Sequence, residues 1–136
     1  MANASKVKGN RWTLDFIEKI KRIWPKAHRG MQDRAEVTEA DVEQTPGWWI
    51  ECKVGKKQNP RAALRQAIDD VTRLESDRVP VAVMKDDSEG GGRPAFTFVV
   101  MRLDDWIEMV EDYEDLRTQA ELATNPGWPA KKPDVW

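Results

Sequence analysis

The chain has 136 residues, 40% hydrophobic and 34% charged, with one cysteine, one histidine and a net charge of −2. This is enough chain for one domain with a modest core. The composition excludes several classes: no apolar run is long enough to span a bilayer, the N-terminal residues lack the apolar stretch of an export signal, one cysteine forms no internal disulfide, and no His/Cys cluster suggests zinc.

A cytoplasmic protein without a membrane partner is the expectation. Its charge is unevenly distributed. Residues 1–30 carry Lys6, Lys8, Arg11, Lys19, Lys21, Arg22, Lys26 and Arg29 against Asp15 and Glu18, while residues 53–66 carry Lys53, Lys56, Lys57, Arg61 and Arg65 and no acid. Residues 104–115 carry seven acids and no base. Such separation predicts one positive and one negative surface, and a positive surface suits a polyanion.

In chain order, residues 1–8 read as a flexible basic end. Gly9 then opens an amphipathic helix, with Trp12, Phe16, Ile17, Ile20, Ile23 and Trp24 on one face and Lys19, Lys21 and Arg22 on the other. Pro25 ends it. Residues 27–31 predict a short first strand. Arg29 and Arg34 read equally as contacts to a DNA backbone and as solvated loop charges. His28 reads as surface decoration rather than a catalytic base.

Residues 39–54 organise the rest of the chain. Thr45, Pro46 and Gly47 are turn residues between two short strands. Side chains alternate along a strand, so Ile50, Cys52 and Val54 share one face, directed at a core, and Glu51 and Lys53 share the other, directed outward. Asp41 beside Glu51 across this turn would bring two carboxylates and an ammonium together, a site for a hard divalent cation. Trp48 and Trp49 point to opposite faces, one into the core and the other toward DNA or a subunit interface. Cys52 reads as a buried structural thiol.

Lys56 and Lys57 lie in a basic loop. Asn59-Pro60 is a helix start, followed by an apolar face of Leu64, Ala67, Ile68, Val71 and Leu74. Residues 79–84 form a near-continuous apolar run, the mark of a strand covered on both faces. Lys85 follows at its end. Residues 86–94 are a turn and residues 96–101 the last strand. Asp104 or Asp105 caps a third helix with Trp106, Ile107, Val110 and Tyr113 on one face. The tail over residues 124–136 reads as extended, with Trp128 and Trp136 available to pack on the body or on a partner chain.

Asp41-Val42, a turn, and Ile50-Glu51-Cys52-Lys53 resemble the Asp…Glu-x-Lys core of the PD-(D/E)XK nuclease superfamily. Within it, the chain resembles the archaeal and phage type of Holliday junction resolvase. Lys8-Gly9 and Val79-Pro80-Val81-Ala82-Val83-Met84-Lys85 occur in the same order, so the resemblance spans roughly residues 6 to 112.

The resemblance implies an α/β fold with a restriction-endonuclease-like core, a mixed central β-sheet flanked by helices, over residues 9–123. It implies a Mg²⁺-dependent endodeoxyribonuclease, with Mn²⁺ as substitute. Asp41, Glu51 and Lys53 would be catalytic, and Asp41, Glu51 and the Cys52 backbone carbonyl would hold the metal. Lys6, Lys8, Arg11, Arg29, Lys56, Lys57 and Arg61 would follow the DNA backbone.

Four-way junction DNA is the implied substrate, a homodimer the implied assembly, and a bacterial or phage-infected cell the implied setting. The chain departs from this pattern at Thr13, where such resolvases usually carry a metal-holding glutamate. Thr13 acting through water, or Asp15 or Glu18, could take that role, or the metal site could rest on Asp41 and Glu51 alone. Gln66 reads either as an accessory site residue or as an ordinary exposed glutamine. Two alternatives stand beside the junction nuclease: another nuclease of the superfamily acting on duplex, flap or single-stranded DNA, and a DNA-binding module without catalysis.

Overall fold

In the computed structural model, which describes residues 3–31, 39–87 and 92–124, the chain is an α/β protein. Its elements are α1 (Ala4–Ile20), β1 (His28–Arg29), β2 (Val42–Glu43), β3 (Trp48–Gly55), α2 (Pro60–Arg73), β4 (Val79–Asp86), β5 (Phe96–Met101) and α3 (Leu103–Thr124). The five described strands form one mixed sheet in the order β1-β2-β3-β4-β5. The β3–β4 pair is parallel and the others are antiparallel. The parallel pair follows from the crossover: α2 lies between β3 and β4 in the chain and returns it to the same end of the sheet.

The apolar run of β4 lies inside the sheet between β3 and β5 and is covered on both faces, as the sequence predicts. Val81 and Val83 join a cluster with Trp12, Ile17, Ile20, Val42 and Ile50. Ala82 and Met84 face the other way and pack with Ala63 of α2. Both faces of the sheet are therefore covered. The Trp12 indole N–H donates to the Val83 carbonyl at 3.3 Å and fixes α1 to β4.

α1 differs from the sequence expectation at both ends. It begins at Ala4, because the Asn3 side chain accepts the Ser5 N–H at 3.0 Å and caps the first turn. Residues 4–8, expected to be flexible, are thus helical. The helix ends at Ile20 rather than at Pro25. The Ile23 and Trp24 N–H groups both turn back to the Ile20 carbonyl, which tightens the chain before the proline restricts Trp24. This turn removes Ile23 from the predicted apolar face and leaves it exposed.

α2 begins as predicted: Asn59 accepts the Ala62 N–H at 3.1 Å and Pro60 opens the first turn. Its most buried positions are Ala63, Ala67 and Val71, one turn apart, rather than the full expected row. These small side chains let α2 lie close on the face of β3 that carries Trp49, Glu51 and Lys53. Trp49 packs with Ala40, Ala67 and Val71, and Trp48 packs on the α1 side, so both tryptophans belong to the core. Glu51 is consequently buried, at 3% exposure, not directed outward.

Gly30 holds the segment before β2 in place. Its N–H donates to the Asp41 carbonyl at 2.9 Å, and a methyl group there would overlap the Ala40 carbonyl. Gly30→Ala should cost about 2 kcal/mol or more, because backbone has to move. Urea denaturation should show a lower midpoint with an unchanged slope.

The chain divides into two compact units, the first ending at Arg102 and the second beginning at Leu103. In the second unit the described part is α3, which has no buried residue. Asp104 and Asp105 lie in its first turn, not at a cap, where their charge favours the helix N-terminus. Arg117 bridges Glu114 and Glu121 one turn to either side, and the bond to Glu114 holds its pKa above the usual value.

No helix among the described residues is long and apolar enough to cross a membrane. Arg34, the middle of the 86–94 turn, Trp128 and Trp136 lie outside the described residues.

Candidate active site

The site is built on the β2–β3 pairing. Val42 stands opposite Ile50, so the preceding residue, Asp41, falls opposite Glu51. The Asp41 backbone is held from both sides: its N–H donates to the Ile50 carbonyl at 3.1 Å, and its carbonyl accepts the Gly30 N–H. Its side chain reaches further along the strand, where Asp41 Oδ2 accepts the Cys52 N–H at 2.8 Å. In an extended strand the N–H and C=O of one residue lie on the same edge. The Cys52 carbonyl therefore belongs to the edge at which Asp41 stands.

Glu51 lies beside Asp41, close enough for the two carboxyl groups to act on each other. Glu51 Oε1 accepts the Trp49 indole N–H at 3.1 Å. Burial, then the neighbouring Asp41 carboxyl, push the Glu51 carboxyl up from 4.5 to about 8, against the opposing pull of the Trp49 N–H and the Lys53 ammonium. Two adjacent carboxyls cannot both ionise cheaply away from water, so the pair keeps a proton near neutral pH.

A cavity of about 280 Å³ opens beside this pair, lined by Lys6, Gly9, Asn10, Thr13, Arg29, Asp41, Cys52 and Lys53. Asp41 and Lys53 thus meet in one space, together with Lys6 and Arg29 from separate elements. Glu51 does not line the cavity; it reaches the site through its contact with Asp41. Three cations around one carboxylate in an open concavity match the charge of a phosphodiester.

Thr13 is at the cavity, as the resemblance requires, but its hydroxyl donates to the Gly9 carbonyl at 3.1 Å one turn back. Burial, followed by the Asp41 charge, pushes the pKa of the Cys52 thiol up, so Cys52 stays protonated and is no nucleophile.

The other sequence candidates lie apart from the cavity lining. Asp15 and Gln66 are exposed. Lys8 pairs with Asp87 just beyond β4, and this contact holds the Asp87 carboxyl below its usual range. Arg11, Lys56, Lys57 and Arg61 are exposed.

Asn10 lines the cavity and was not singled out from sequence. Its position three residues before Thr13 on the same helix is the signal that locates it. The Trp49–Glu51 hydrogen bond was also missed, although the i,i+2 spacing on one strand face allows it.

No group of three or more His, Cys, Asp and Glu side chains arranged to hold a metal occurs among the described residues. The oxygen donors that the β2–β3 edge would offer a cation are the Asp41 and Glu51 carboxyl groups and the Cys52 carbonyl. This set fits Mg²⁺ or Mn²⁺, which take oxygen ligands and retain several waters. The raised Glu51 pKa fits as well: a pair that carries a proton without metal has a negative charge for a divalent ion to compensate.

Comparison of the chain with protein-family models, with curated proteins and with solved structures finds no match in any of the three.

Proposed function

We propose that this chain is a divalent-metal-dependent endodeoxyribonuclease of the PD-(D/E)XK type that hydrolyses phosphodiesters in branched DNA, four-way junctions foremost. The observation that carries this reading is the placement of Asp41 opposite Glu51, with Lys53, Lys6 and Arg29 around the adjoining cavity. The element order supports a restriction-endonuclease-like core: a helix, a hairpin carrying both acids, then a crossover helix to the parallel strand β4.

Mg²⁺ held by Asp41, Glu51 and the Cys52 carbonyl would supply Lewis acidity toward the scissile phosphate and the attacking water. The remaining work falls to the protein's own groups. Loss of the shared proton would leave Asp41 and Glu51 as two anions, the charge that a divalent ion would compensate. Lys53 stabilises negative charge that grows on the phosphoryl oxygens as water attacks phosphorus. Lys6 and Arg29 hold the phosphates, and the Asn10 amide can donate to one of their oxygens. Water adds to phosphorus, the bond to the 3′ oxygen breaks, and the products are a 5′-phosphate and a 3′-hydroxyl. Contacts limited to the backbone select DNA shape rather than sequence, and two symmetric cuts in a junction call for a homodimer.

The test is cleavage of end-labelled four-way junction, duplex and single-stranded DNA in Mg²⁺ and in chelator. Paired, metal-dependent cuts confined to the junction are the expected result. Equal cutting of duplex or single strands would retain the active site and discard the junction preference. One observation favours a second reading, a DNA-binding module without catalysis: no third acidic, His or Cys side chain joins Asp41 and Glu51 in a metal-holding group among the described residues. Junction binding without cleavage in any divalent metal would establish that reading instead.

A further inference from the structure

A chain of buried and partly buried contacts runs from the far end of the β2–β3 hairpin to the two carboxyl groups. Trp49 stands on the same face of β3 as Glu51 and is 1% exposed. Its indole N–H donates to Glu51 Oε1 at 3.1 Å. The ring is held by Ala67 and Val71 of α2, by Ala40, and by the Arg78 guanidinium, 5.0 Å from its centroid.

Arg78 is itself fixed. Its Nε donates to the Trp48 carbonyl at 2.9 Å, and its terminal nitrogens reach the Glu43 carboxylate at 3.3 and 3.4 Å. Glu43 Oε1 also accepts the Ala40 N–H at 2.7 Å, one residue before Asp41. Glu43 and Arg78 therefore brace the segment bearing Asp41 and the ring that holds Glu51.

We infer that Trp49 is a positioning residue for the metal-holding pair: its indole N–H occupies one oxygen of Glu51, and the Arg78–Glu43 brace keeps the ring in the orientation that makes this bond. This inference rests on the proposed metal site and adds a residue to it. Packing alone requires a bulky apolar ring at position 49, which phenylalanine also supplies. An indole at hydrogen-bond distance from a buried carboxylate does something more: it removes rotational freedom from the ligand. Groups that orient metal ligands in this way typically contribute about 10- to 100-fold to metal affinity.

The test uses the full chain with ¹⁵N-labelled tryptophan and triple-resonance assignment of the Trp49 indole signal. Added Mg²⁺ should shift that signal in the wild type and leave it unmoved in Glu51→Gln. By calorimetry, Trp49→Phe should weaken Mg²⁺ binding about tenfold or more. Arg78→Met, which leaves the indole in place but unbraced, should weaken it less.

A Trp49 signal that ignores Mg²⁺ while calorimetry records binding that Asp41→Asn abolishes would overturn the positioning role and leave the metal site standing. Trp49→Phe binding Mg²⁺ as tightly as wild type would overturn it too. Absence of Mg²⁺ binding in the wild type would remove both the metal site and the inference built on it. The wild-type spectrum decides the matter even if Trp49→Phe does not fold.

Discussion

Asp41→Asn should abolish metal-dependent DNA cleavage, lowering the rate by about 10³-fold or more, without loss of the fold. Asparagine keeps the shape of the side chain and an oxygen that can accept the Cys52 N–H, so the backbone contact at 2.8 Å survives. What disappears is one of the two negative charges available to a divalent ion.

The same substitution removes the charge that helps hold the Glu51 carboxyl protonated. Asp41→Asn should therefore be at least as stable as the wild type in chelator while binding Mg²⁺ far more weakly. Lys53→Ala provides the contrast. It removes a cation from the cavity but no metal ligand, so it should lower the cleavage rate by about 10²-fold or more with metal affinity nearly unchanged. Single-turnover cleavage alongside Mg²⁺ titration separates the two effects. Equal loss of metal affinity in both variants would place Lys53 in a structural role.

The second large effect is a dependence of metal-free stability on pH. The Glu51 carboxyl is raised in the folded protein, from 4.5 to about 8, first by burial and then by Asp41. Between these values the folded chain binds a proton at this site that the unfolded chain has released. Stability from this group is therefore complete below about pH 4.5 and declines as pH rises through about 8. The two values correspond to a loss of about 5 kcal/mol at most across that window.

Glu51→Gln carries no proton to lose, so its stability should remain flatter over the same range. It should exceed the wild type at pH 8.5 in chelator. Saturating Mg²⁺ should restore the wild type at that pH by mass action and leave Glu51→Gln unaffected. Urea denaturation of both proteins at several pH values, with and without chelator, measures each part. Parallel pH profiles for the two proteins would show that Glu51 ionises normally.

Much of the framework was legible in the sequence because its signals are local. Asn59-Pro60 states a helix start through capping chemistry, and the structure has that cap. The unbroken apolar run of β4 indicates a strand covered on both faces, and its place beside β3 follows from a helix-length crossover. The Asp41–Glu51 juxtaposition was legible too, since a short turn with Val42 opposite Ile50 sets the register.

The misreadings arose where distant packing decides. Glu51 and Lys53 looked outward because alternation alone separates the two faces of β3. Only the approach of Ala63, Ala67 and Val71 shows that the second face is also covered. The N-terminal start of α1 depended on Asn3, a cap hidden among small polar residues. Its early end reflects backbone bonds to Ile20 that no periodicity records. The brace through Glu43, Arg78 and Trp49 joins positions up to 35 residues apart and has no sequence signature.

The most direct measurement is calorimetric titration of Mn²⁺ into the full chain near pH 7, in two buffers of different ionisation enthalpy, with Asp41→Asn and Glu51→Gln alongside. Binding of about one ion per chain, with release of close to one proton from the carboxyl pair and loss of that binding in both variants, is the predicted result. No binding by the wild type, or binding that persists unchanged in both variants, would contradict a metal site built on Asp41 and Glu51.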